Sequence, residues 1–124
     1  MMKFQELKKE IPVIFSQVKK DVEKTYNRHR AGLRLGLVDM GMFGGGFIGG
    51  MHFHPGTDIV MNITPLKIIL KKQPFEIVWA YVYHILLHEY IHSLGILDES
   101  QCRNITLMVS EKIFKEKDEH HPTI

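Results

Sequence analysis

Apolar residues recur at three- and four-residue steps from the start of the chain. Phe4, Leu7, Ile11, Ile14, Phe15, Val18, Val22 and Tyr26 form one stripe, and Lys8, Lys9, Lys19, Lys20, Glu23 and Lys24 fill the other side. This spacing predicts an amphipathic helix over 2–30, with Pro12 either kinking it or sitting in the first turn of a second segment. The pattern then changes. "RLGLVDMG" reads as a strand, and "MFGGGFIGG" is glycine-rich yet carries Phe43, Phe47 and Ile48. These glycines lead into the alternating "MHFHPGTDIVMNI" and not into a helix, so they do not form a phosphate-cradling loop. A hairpin or a rim over a cleft is expected instead, with "PGTD", 55–58, turning the chain between "GMHFH" and "DIVMNI".

The remainder reads as helix. Thr64 is the expected N-cap of "TPLKIILKK", with Pro65 at the first helical position. Pro74 opens the longest apolar stretch, "PFEIVWAYVYHILLHEYIHSLG", and Gly95 ends it. A last helix is expected from Glu99 to Lys117, with Cys102, Ile105, Val109 and Ile113 as its inner stripe. Asp98 and Gln101 read as a variant capping box before it. No repeat or linker divides the chain. The expectation is one α+β domain over 1–124, with a small antiparallel sheet of about three strands and three to four helices.

Composition narrows the function. The chain has 124 residues, 44% hydrophobic, enough for a modest core. Its 16 basic and 14 acidic residues are dispersed and leave a net charge of +2, which argues against a nucleic-acid partner. The lone Cys102 forms no internal disulfide, so nothing asks for an oxidising compartment. The N-terminus lacks a secretory apolar region, and no uncharged apolar run reaches about 18 residues. A cytoplasmic protein without a membrane span is expected. The eight histidines are the anomaly.

Two of them lie in "HEYIHSLGILDE", His88 to Glu99. On a helix, His88 and His92 project from one face a turn apart and can share one metal ion. Glu89 lies about 100° round the helix, placed to take a proton from a metal-activated water and pass it to a leaving amine. The bland alternative is a pair of core histidines bonded to backbone or to Glu89. A charged triplet buried without function is expensive, however, at several kcal/mol per unpaired ion. A third ligand must come from downstream. Glu111 lies about 18 Å along the next helix from Glu99 and overshoots. Asp98 and Glu99 remain. Asp98 has a local task as N-cap, so Glu99 is preferred. His84 drifts about 40° off the face and reads as a packed histidine. Tyr81, Tyr83 and Tyr90 are oxyanion candidates that read more readily as core or rim. His52 and His54 share a strand face and form a weak second metal pair.

"HEYIHSLG" followed by "LDE", in the order helix, small sheet, motif helix, glutamate helix, resembles the gluzincin-type zinc peptidases, and specifically the minigluzincins. These are very small soluble archaeal proteins similar to the catalytic domains of certain integral-membrane metallopeptidases. The resemblance covers most of the chain, and its specific part is 88–103. It implies one zinc ion at His88 and His92, Glu89 as general base, and a glutamate ligand on the next helix, here Glu99. It also implies latency, with the C-terminal segment in the cleft. "HEYIHSLGILD" is in addition similar to the metzincin spacing, which would make Asp98 the ligand, although Met108 falls inside a predicted helix and makes no Met-turn.

The expected function is therefore a zinc-dependent metalloendopeptidase acting on peptides or unfolded protein. The tail "KDEHHPTI" is expected to act as an inhibitory segment over 118–124, with His120 and His121 able to meet the metal. The alternatives are a catalytically silent metal-binding or interaction module, and a purely structural helical domain.

Overall fold

The computed structural model describes residues 2–42, 49–52 and 56–117. The elements run α1 (Phe4–Tyr26), β1 (Arg34–Val38), β2 (Gly50–His52), β3 (Asp58–Asn62), α2 (Ile63–Lys72), α3 (Phe75–Ser93) and α4 (Glu99–Lys117). Among the described residues four helices accompany one small three-stranded sheet, an α+β fold. Among the described residues no helix is long and apolar enough to cross a membrane. The tail 118–124, the glycine-rich 43–48 and His54 lie outside the described residues.

α3 is the centre of the molecule and packs against α1, α2, α4, β2 and β3. Its sequence explains why. Val78, Val82, Tyr83, Leu86, Leu87, Tyr90 and Ile91 are all fully buried, so apolar residues face inward on most sides of the helix. Leu7, Ile11, Ile14, Val18 and Val22 of α1 bury one stripe against it, and Val109 and Ile113 of α4 bury another. Each large aliphatic side chain so removed from water contributes about 1.5–3 kcal/mol before chain entropy is counted. α1 continues through Pro12, whose ring sits on the solvent side. It ends at Tyr26, short of the expected residue 30, because Asn27 turns left-handed at φ 56° and bonds back to Glu23. Asn tolerates that conformation better than most residues.

The sheet is mixed, where an antiparallel one was expected. Its order is β1-β3-β2. β2 pairs antiparallel with β3, with Met51 opposite Val60, whereas β1 runs parallel to β3, with Gly36 opposite Val60. β2 thus occupies an edge, on the side facing α3. The N-cap of α2 also differs from expectation. Asn62, one residue before the helix, accepts from the Thr64 amide at 3.1 Å. Thr64 instead gives its hydroxyl to Asp39 and accepts the Gly41 amide. Fully buried Asn62 also accepts from the Met40 amide, donates to the Gly41 carbonyl, and sends its own amide to Gly49. One side chain therefore ties the end of β3 to the segment after β1.

Candidate metal centre

Three features place the C-terminal end of α3. Gly95 adopts φ +99°, a left-handed conformation suited to glycine, and its amide bonds to the His92 carbonyl. Arg28 and Arg30, just beyond α1, donate to the Leu94 and Ser93 carbonyls at 2.8 and 2.6 Å. Their charges suit the negative end of the helix dipole. The chain then turns within a few residues, and α4 returns antiparallel beside α3. His92 meets Glu99, His88 meets Cys102, and Trp79 meets Phe114. The start of α4 is set by Asp98, whose carboxylate accepts the Gln101 amide at 2.8 Å while its carbonyl accepts the Cys102 amide. Asp98 is thus occupied as the cap.

This register gathers the polar groups. The His88 and His92 rings stand 4.8 Å apart, nearly perpendicular. Their Nε2 atoms converge on one carboxylate, Glu99, at 3.3 and 2.6 Å. Both imidazoles are largely buried, 20% and 12% exposed, while Glu99 is open at 61%. The tautomers follow from the partners. His92 Nδ1 faces the Ile96 carbonyl at 2.8 Å, and a carbonyl only accepts, so Nδ1 carries the hydrogen. The Nε2 lone pair is then aimed at Glu99. A lone pair and a carboxylate oxygen at 2.6 Å repel unless a proton or a metal cation lies between them. Behind His88, Cys102 Sγ lies 3.8 Å from Nδ1 and donates to the His88 carbonyl at 3.4 Å.

The electrostatics agree with the geometry. Burial first, and then the neighbouring His92, hold His88 below the ordinary histidine value, against the opposing pull of Glu99. Partial burial alone would raise Glu99, but its hydrogen bond to His92 and the charges of His88, His92 and Arg103 hold it below the usual carboxylate range. Glu89 is buried beside this cluster, and loss of solvent pushes its pKa up to about 7. Burial likewise pushes the Cys102 thiol up to about 12, so it is protonated at neutral pH.

A cleft of about 310 Å³ opens in front of these groups, lined by Gly50, Met51, His52, Glu89, His92, Leu97 and Glu99. Its far wall is β2, which approaches α3 unusually closely. A Cβ on Gly49 would stand 2.6 Å from Ile85 Cδ1, and one on Gly50 2.8 Å from Ile85 Cγ2 and 3.0 Å from the Val60 carbonyl. The two glycines therefore let an edge strand lie against the helix face that carries Glu89.

His88, His92, Glu89 and Glu99, singled out in the sequence, are brought together. Asp98 is not among them. His84 faces a different groove, between α3 and α4. Tyr83 donates to buried Asp21 at 2.6 Å, and Tyr90 accepts the Arg30 amide, so both belong to the core. The buried Tyr81 hydroxyl lies beside Gly49. His52 holds the Gly56 carbonyl through Nε2, and its expected partner His54 is outside the described residues. Cys102, expected on the inner stripe of α4, also reaches this cluster. It stands three residues after Glu99, and the short return of α4 that places Glu99 against His92 also sets residue 102 opposite residue 88. His88, His92 and Cys102 offer ligand atoms within 4.8 Å of one another and could hold a metal ion.

Comparisons with protein families, curated proteins and solved structures find no match for this chain, so the chemistry of this centre carries the functional reading.

Proposed function

We propose that the protein is a zinc metalloendopeptidase of the minigluzincin type. The observation that carries this reading is the convergence of both imidazole Nε2 atoms on Glu99, at 3.3 and 2.6 Å, with Glu89 buried alongside in an open cleft. Two nitrogens and a carboxylate oxygen are a donor set that suits zinc and leaves a fourth position free. The tautomer argument supports the fit, since His92 presents its Nε2 lone pair where a cation is needed. His88, His92 and Glu99 would hold the ion. Cys102 lies behind the His88 ring, 3.8 Å from its Nδ1, in the place of a group that orients the ligand.

Zinc held there would supply Lewis acidity and make hydroxide accessible near neutral pH. Glu89 would take the proton at its carboxylate and deliver it to the leaving amine. Its position on the cleft side, beside the histidine pair, suits that transfer. β2, an edge strand among the described residues, would accept an extended peptide along its outer side, aligning the scissile bond with Glu89. The tail 118–124 would compete for the same cleft and make the intact chain poorly active.

The experiment is cleavage of an unstructured polypeptide by the zinc-loaded protein, as the full chain and as a chain ended after Lys117. Cleavage that a chelator abolishes and zinc restores, stronger in the shortened chain, is expected. No chelator-sensitive cleavage by either form contradicts the reading.

The proximity of Cys102 to both histidines favours one alternative, a centre that holds metal without catalysis. The two readings part at Glu99→Ala. A peptidase centre loses most of its zinc affinity in that variant, whereas a His-His-Cys centre keeps it.

A further inference from the structure

The sheet has a second edge, opposite β2. Among the described residues β1 pairs only with β3, in the order β1-β3-β2. The Arg34 amide bonds to the Thr57 carbonyl at 2.8 Å, which fixes the phase of the ladder. In a parallel pair every second residue bonds to the neighbouring strand, so Arg34, Gly36 and Val38 turn their amides and carbonyls toward β3. The amides and carbonyls of Leu35 and Leu37 then point outward, along the open edge.

Beside that edge runs a groove of about 260 Å³. It lies between half-buried Leu33, Leu35 and Leu37 and the face of α1 that carries Lys8, Phe15 and Lys19. On α1 the stripe from Lys8 to Lys19 is about 16 Å long. Leu33 to Leu37 span about 13 Å of extended chain. The groove therefore matches a segment of about five extended residues. Lys8 and Lys19 are the first and last residues of the helical stripe. Their ammonium groups lie 6.0 and 4.8 Å from the Phe4 and Phe15 ring centres, and neither meets a carboxylate among the described residues.

We infer that an extended acidic peptide docks here, adding a strand to β1 and laying apolar side chains in the groove with a carboxylate at each end. Such an occupant answers all three features. Its backbone pairs with the outward amides and carbonyls of Leu35 and Leu37. Its alternate side chains point at α1, so the middle ones cover the leucines and Phe15. The outer ones bring carboxylates to the two lysines. A second copy of this chain fits less well, because pairing β1 with β1 would bring two lysine-bearing faces of α1 together. The site lies at the opposite edge of the sheet from the cleft that holds Glu89. It stands whether or not that centre cleaves peptides.

The test is titration of the full-length, isotope-labelled protein with the acetylated and amidated peptide Glu-Thr-Val-Thr-Val-Thr-Glu, followed by two-dimensional NMR, with zinc present and after chelation. Its glutamates and valines share one face when extended. Saturable shifts along residues 8–19 and 33–37 are expected under both conditions. Amide exchange should slow at Leu35 and Leu37 and change less at Gly36, whose amide already faces β3. The same peptide with lysine in place of both glutamates should bind about tenfold more weakly. The double variant Lys8→Glu with Lys19→Glu should reverse that preference. The inference is overturned by shifts centred on Gly50, Met51 and His52, because the peptide then takes the edge of β2. It is overturned equally by the two peptides binding alike, by a preference unchanged in the double variant, or by no saturable shift at all. Dimerisation that slows exchange at Leu35 and Leu37 without peptide also overturns it, because a second copy is then the occupant.

Discussion

α3 carries two polar clusters, and they are built on opposite principles. Midway along the helix, Tyr83 donates to Asp21 of α1 at 2.6 Å, and Gln17 donates to the other Asp21 oxygen at 2.8 Å. Asp21 is 3% exposed, so this cluster is sealed. Its donors match its acceptors, and it rests among stacked aromatics, with Trp79 and Tyr83 at 5.0 Å. Near the C-terminal end, two imidazoles contact one carboxylate at the wall of an open cleft, with a second carboxylate buried beside them. There the His92 Nε2–Glu99 contact needs a proton or a metal cation between its two atoms. A buried polar group whose partners all come from the chain holds the fold together. One whose partners are complete only with something from outside marks a candidate binding site.

Substitutions should divide along the same line. The largest effect is expected at Glu89. Glu89→Gln keeps the size and a hydrogen bond but cannot accept a proton. It should retain zinc and slow peptide cleavage by about 10²–10⁴ in steady-state assays. Unchanged turnover would remove Glu89 from the mechanism.

In the sealed cluster, Tyr83→Phe leaves the Asp21 carboxylate short of a buried donor. It should lower unfolding free energy by about 1–3 kcal/mol, measured by denaturant titration, and leave zinc content as in the parent. Loss of zinc in that variant would mean that the two clusters are not separable.

The finest distinction lies between neighbours at the start of α4. Asp98→Ala removes a cap and should cost about 1 kcal/mol of stability while zinc affinity is kept. Glu99→Ala should do the reverse, weakening zinc and sparing the fold. The opposite pattern would make Asp98 the ligand, in agreement with the metzincin-like spacing.

The geometry of the candidate centre was largely legible in the sequence, because it depends on helical periodicity and a short turn. Four-residue spacing sets His88 above His92. Asp98 with its amide partner three residues on marks the start of α4, and that start dictates that Glu99 meets His92. The sheet was less legible. β1 pairs in parallel with β3 although β2 lies between them in sequence, and alternation of apolar residues does not encode which edge a strand takes. Asn62 was hidden for a related reason. As the last residue of β3 it reads as strand, and its role as cap to α2 emerges only when the segment after β1 lies beside it. Cys102 was masked by its own apolarity, since a thiol on an inner stripe looks like packing until the register of two helices sets it against His88.

Bound metal tests the central claim most directly. The full chain, purified without added metal, should contain about one zinc per molecule by elemental analysis. His88→Ala and His92→Ala should each contain almost none, because two remaining ligands bind far more weakly than three. Zinc absent from the parent even after it is supplied, or present equally in both histidine variants, would contradict the account.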